Sequence, residues 1–139
     1  YAAVGPGLCL DVVPERAGTG YFIRPTHSYV WTQGFHALHP GVDLAIDAGT
    51  QLFAADSGTV VYAGWNPAGY GNLVIIDHGN GWRTYYAHLQ SLDVSCGEWL
   101  PRGTVLGGIG STGNSTGPHL HFEMLRFGIA VDPAGYIRF

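Results

Sequence analysis

From Gly20 onward, apolar and polar positions alternate in short runs, and no segment carries ten residues of clean 3.6-residue periodicity. The runs at 20–25 ("GYFIRP"), 28–33 ("SYVWTQ"), 57–65 ("SGTVVYAGW") and 71–77 ("GNLVIID") predict strands. So do those at 82–89 ("WRTYYAHL"), 103–110 ("GTVLGGIG"), 119–125 ("HLHFEML") and 127–133 ("FGIAVDP"). Asn80-Gly81 in "HGNG" suits a tight hairpin turn needing positive φ. A short helical turn near Ser91 is the most helix the pattern allows. Residues 1–19 show no sustained period and read as an irregular arm. With no repeat and no linker after residue 20, residues 20–139 read as one all-β, antiparallel domain.

Composition agrees with that reading. The chain has 139 residues, enough for one core, and its 22 glycines and 8 prolines supply many turns. Its only cations are six arginines, and a net charge of -4 argues against a nucleic-acid partner. No apolar run is long enough to span a bilayer. The chain starts at Tyr1 without a secretion leader, which points to a fragment or a mature form. Cys9 and Cys96 form no C-x-x-C pair; they are either one disulfide, fitting an extracytoplasmic setting, or two buried thiols.

Seven histidines in so lightly charged a chain call for a metal-ligand search. Along "HLHFE", strand alternation turns His119, His121 and Glu123 to one face and Leu120, Phe122 and Met124 to the core. The two imidazoles then stand roughly 6–7 Å apart at the backbone, so one can ligate a metal while the other reaches the reacting water. Alone, an H-x-H is more often two solvated histidines. "HPGVD" holds His39 and Asp43 around a Pro-Gly turn, where imidazole and carboxylate can converge as mixed N/O ligands. Chance also produces that spacing. In "YYAHL", alternation puts His88 on the face of Tyr86, opposite Tyr85 and Ala87, a position more typical of a packed residue than of a catalyst.

These three motifs occur in order, joined by glycine-rich connectors, and together they resemble the LytM/lysostaphin-type (M23) zinc metallopeptidases over about residues 20 to 135. The resemblance implies an antiparallel β domain whose groove holds a catalytic zinc. It implies His39, Asp43 and His121 as zinc ligands, with His88 and His119 as the two non-ligand histidines of the active site. It further implies a monomeric, extracytoplasmic endopeptidase that cuts peptide cross-links or cross-bridges of peptidoglycan with zinc-activated water. The alternative is a non-catalytic module that binds wall or activates a partner amidase; such modules usually lose site residues, and here all five positions are filled. Glu123 is read as a hydrogen-bonding partner for a ligating histidine. His78 is read as structural, and His27 and His36 as surface or loop residues, His36 with access to the groove. Trp31 and Trp65 are read as packed. One departure stands out: some members carry a tyrosine shortly before the first ligand, where this chain offers Trp31, Gln33 and Phe35.

Overall fold

The alternating runs pair as antiparallel neighbours. The computed structural model describes residues 4–14 and 16–139, so Tyr1–Ala3 and Glu15 of the expected arm lie outside the described residues. In chain order the strands are β1 (Val30–Gln33), β2 (Val42–Ala45), β3 (Gln51–Phe53), β4 (Gly58–Asn66) and β5 (Gly71–Asp77). They continue as β6 (Trp82–Leu92), β7 (Trp99–Leu100), β8 (Val105–Ile109), β9 (His119–Arg126) and β10 (Ile129–Val131), followed by a 3-10 turn at Pro133–Gly135. The main sheet runs β1-β2-β9-β6-β5-β4-β7, with β10 added to β9. The eleven-residue β6 continues beyond it to pair with β8, which pairs with β3.

Both faces of the main sheet are covered. Leu120, Phe122 and Met124 of β9 are fully buried, as alternation predicts, and join Val74, Ile76 and Tyr86 against Leu52 and Leu106 of the β3–β8 pair. On the other face Val61, Leu73, Ile75, Tyr85 and Leu125 form a second cluster. The N-terminal arm lies along this side: Leu8 bridges Tyr62, the Cys9 N–H donates to the Val61 carbonyl, and Val12 packs on the cluster. Cys9 and Cys96 are disulfide-bonded, with Cα atoms 5.4 Å apart, which resolves the two readings open in the sequence.

Four local expectations need correction. Residues 20–25 form no ladder; the Ile23 N–H donates to Ala55 and the Pro25 carbonyl accepts from Phe53, too few bonds for a strand in a segment ending on proline. Ser91 lies in β6 and not in a helical turn, because Leu89, Ser91 and Leu92 pair with β8. The β5–β6 connection spans four residues, with positive φ at Gly79 and Gly81 but not at Asn80. Trp31 and Trp65, read as packed, are 42% and 46% exposed, although Trp31 sets its ring edge-on against Phe139 at 5.4 Å.

His78, fully buried, anchors a directional chain of hydrogen bonds. The Ala55 N–H donates to the Tyr86 hydroxyl (3.0 Å), which donates to Thr84 Oγ1 (2.7 Å). The Thr84 hydroxyl in turn donates to His78 Nε2 (2.9 Å), and the His78 Nδ1–H donates to the Ser57 carbonyl (2.8 Å). The fixed donor at one end and fixed acceptor at the other leave one arrangement, with neutral His78. Burial holds the His78 pKa below its ordinary 6.5, outweighing the Ser57 hydrogen bond and the charges of Asp56 and Asp77. Protonation would put an N–H on Nε2 and take away the acceptor that the Thr84 hydroxyl donates to.

Thr84→Val should therefore cost about 1–3 kcal/mol in denaturant unfolding, since it strands two buried polar atoms. The pH dependence has a definite sign. With the folded-state pKa depressed, the unfolded chain binds the extra proton, so the His78 contribution is intact above about pH 6.5 and falls as pH drops below it. Histidine NMR resonances should show His78 still neutral where exposed imidazoles titrate.

Candidate metal centre

The site is built on the β2–β9 pair. Asp43 stands directly across from His121, and Ala45 from His119. The His39–Asp43 turn must pass close over β9, and Gly41 permits it: a Cβ there would sit 2.4 Å from the Phe122 carbonyl oxygen and 2.9 Å from the Glu123 side chain. His39 is held by paired backbone hydrogen bonds with His36. Ligand atoms of His39, Asp43 and His121 lie within 4.8 Å of one another.

Hydrogen-bond partners fix the His39 tautomer. The Gly34 carbonyl can only accept, so His39 carries its proton on Nδ1 (2.9 Å) and points the Nε2 lone pair at Asp43 Oδ2 (3.1 Å). His121 lies between two carboxylates, Nε2 2.8 Å from Glu123 Oε2 and Nδ1 2.8 Å from Asp43 Oδ1, so each nitrogen can donate; a cation would displace the Nδ1 proton and leave Nε2–H on Glu123. Once the His121 Nδ1 proton is displaced, two imidazole lone pairs and a carboxylate face one point. This N/N/O set calls for a cation and suits zinc, with three protein ligands and room for a further one.

The electrostatics agree. Burial alone would lower the His121 pKa, but its hydrogen bonds to Asp43 and Glu123, and their charges, outweigh that and raise it to about 9. Burial pushes the Asp43 pKa up, and the His121 hydrogen bond together with the neighbouring imidazoles brings it below its ordinary value. The cluster draws positive charge, which a divalent ion supplies in place of a proton.

His88 reaches the site by a route alternation does not foresee. Tyr86 points into the main core and Ala87 pairs with His121, so regular alternation would send His88 toward the core. Between Tyr86 and Leu89 the ladder slips by one residue against β5, and His88 adopts φ +71°. This bulge turns His88 onto the face of Ala87, with its ring 4.6 Å from that of His119 and 6.2 Å from that of His121. His88 donates Nδ1–H to the Thr112 carbonyl (2.7 Å), and His119 donates its own to the Gly117 carbonyl (2.9 Å). Both therefore present a bare Nε2. Burial, chiefly, lowers the His88 pKa to about 4, so its ring is neutral at physiological pH.

All five residues singled out in the sequence thus meet in one place. Glu123 pairs with His121 as expected, and its Oε2 also accepts from the Tyr70 hydroxyl (2.7 Å). Nothing in the sequence marked Tyr70, one of eight tyrosines, set in the short β4–β5 connection. His36 stacks on His39, while His27 packs against Phe53. A cleft of about 340 Å³ opens beside His88, His121 and Glu123, lined also by Leu38, Pro40, Ala68 and Asn114.

Comparison with known proteins gives the family. The model of peptidase family M23 matches residues 37–133. Among curated relatives, the DD-carboxypeptidase/endopeptidase Mpg of Neisseria meningitidis is 45% identical over 96 residues, covering 69% of this chain and 22% of its own length. The peptidoglycan DD-endopeptidase ShyA of Vibrio cholerae is 42% identical over 89 residues, covering 64% and 20%. The chain thus spans about a fifth of these relatives. A solved structure of a zinc-containing peptidase from Vibrio cholerae superposes with a TM-score of 0.72 at 33% identity, over 85% of this chain and 39% of that one. The strand order, the His/Asp/His cluster and the family match over 37–133 make this chain a member of peptidase family M23.

Proposed function

We propose that this domain is a zinc-dependent endopeptidase that hydrolyses peptide cross-links or cross-bridges of bacterial peptidoglycan, acting outside the cytoplasm. The observation that carries it is the convergence of three metal-ligand atoms within 4.8 Å, flanked by two histidines that both offer Nε2 as an acceptor. The peptidoglycan DD-endopeptidase among its relatives supports the substrate class, and the Cys9–Cys96 disulfide supports an oxidising compartment.

His39, Asp43 and His121 would hold the zinc. Bound there, zinc polarises the scissile carbonyl and lowers the pKa of water toward ~7. His119 Nε2 lies 3.8 Å from Asp43 Oδ1, beside the ligand set, and takes the proton as water oxygen bonds to the carbonyl carbon. In the resting site neither His88 nor His119 has an Nε2 proton to give, so each can donate only after it has accepted. His119 would pass the proton taken from water to the amine nitrogen as the C–N bond breaks, while neutral His88 beside it stays an acceptor. Thr112 and Gly117 keep both rings aimed with Nε2 inward throughout.

His121→Ala should abolish both zinc retention and release of peptides from purified walls. His119→Ala should keep about one equivalent of zinc while hydrolysis falls about 10²–10⁴-fold, read by mass spectrometry of defined muropeptides. Full activity in His119→Ala would reject the assignment, and zinc retention without hydrolysis of any wall type by the unaltered domain would reject the enzyme. Tyr70→Phe frees Glu123 and loosens its hold on the His121 N–H, so zinc affinity in chelator competition should drop about 10–100-fold.

A further inference from the structure

A cavity larger than the metal cleft lies beside it. It is a trough of about 800 Å³ on the same face of the main sheet, further along β6 and β9, floored by Ile75, Tyr85 and Leu125 and walled on one side by the arm. That volume falls within the roughly 300–1,000 Å³ of small-molecule sites. The trough and the cleft are neighbours: Tyr85 of the floor packs its ring 5.9 Å from Tyr70, which lines the cleft. From Ala87, opposite His121, to Arg83 in the trough is four residues of β6, roughly 13 Å at about 3.3 Å per residue.

Two features stand at the rim of the trough. Phe127, a large apolar residue, is 75% exposed in the two-residue β9–β10 turn, where it and Gly128 take the positive φ values (+48° and +80°) that such a turn requires. Its ring lies directly on Gly81, where a Cβ would come within 2.5 Å of the ring carbons, and its N–H donates to the Gly81 carbonyl. Gly81 thus seats an aromatic platform at the rim. Beside it, the Arg83 Nε–H donates to Asp77 Oδ2 (2.9 Å), and both side chains line the trough.

We propose that this trough is a saccharide subsite that takes the glycan strand of the wall polymer while the attached peptide occupies the metal cleft. A pyranose ring presents polarised C–H groups on its faces, which complement the negative face of an aromatic ring. Its rim of hydroxyl and acetamido groups both donates and accepts, so it can bond the Arg83 fork and the Asp77 carboxylate together. An apolar protein segment fits less well, because covering the ion pair would desolvate two charges with nothing to bond them. The choice of glycan rests on the peptidoglycan reading above, in which every substrate peptide is tethered to such a strand.

The test is titration of the domain with peptide-free glycan strands a few disaccharides long, followed by amide chemical shifts and calorimetry. Shifts should centre on Gly81, Arg83 and Phe127 and spare Asp43 and His121. Phe127→Ala and Arg83→Gln should each weaken binding about tenfold, while Phe127→Tyr, which keeps the platform, should retain it. Absence of shifts in the trough, undiminished binding by Phe127→Ala, or occupation of the trough by free stem peptide instead would each overturn the proposal. Hydrolysis is read separately on glycan-free cross-linked peptides. Glycan binding without hydrolysis would overturn the peptidase reading and leave this subsite standing; hydrolysis without glycan binding would do the reverse.

Discussion

Everything at the metal centre depends on the register between two short stretches of backbone. Asp43 on β2 lies opposite His121 on β9, and that one cross-strand pair brings the carboxylate and the imidazole together before any loop contributes. A slip of β2 by one residue would carry Asp43 into the core and bring Val42 or Leu44 to the other face. The register is strongly specified because Val42, Leu44, Leu120 and Phe122 are all fully buried on the opposite side. The apolar face thus places the polar one, and the stability of the sheet and the geometry of the site have a common cause.

Around that pair the site is a study in committed protons. Backbone carbonyls of Gly34, Thr112 and Gly117 take the Nδ1 protons of His39, His88 and His119, and Glu123 takes the Nε2 proton of His121. His39, His88 and His119 consequently offer a lone pair to the same region, and His121 would do so once a cation displaced its Nδ1 proton. Three of the four partners are main-chain oxygens, so a side-chain substitution elsewhere in those loops need not disturb the tautomers.

Much of this was legible in the residues. Period-2 alternation in "HLHFE" separated ligand face from core, the Pro-Gly turn in "HPGVD" allowed convergence, and glycine-rich connectors marked the strand boundaries. The illegible parts share a reason: they depend on partners distant in sequence. The strand β3, three residues long, exists through pairing with β8, and the two-residue β7 through pairing with β4. Tyr70 matters only because Glu123, far along the chain, comes within reach of its hydroxyl. His88 was found by its motif but set on the wrong face, because alternation assumes an unbroken ladder. The Asn80-Gly81 turn was expected to be tighter than the four-residue connection that forms, where the Gly79 N–H donates to Asp77 Oδ1.

The irregularity at Ala87–His88 has a consequence for how this sheet can change. Removing one residue there would restore an uninterrupted ladder with β5 and relieve a non-glycine residue of positive φ, which favours a more regular and more robust sheet. The same deletion would turn the imidazole away from the cleft. Selection for thermal robustness and selection for turnover therefore pull in opposite directions at this one point, and the fold tolerates the defect in the middle of its longest strand.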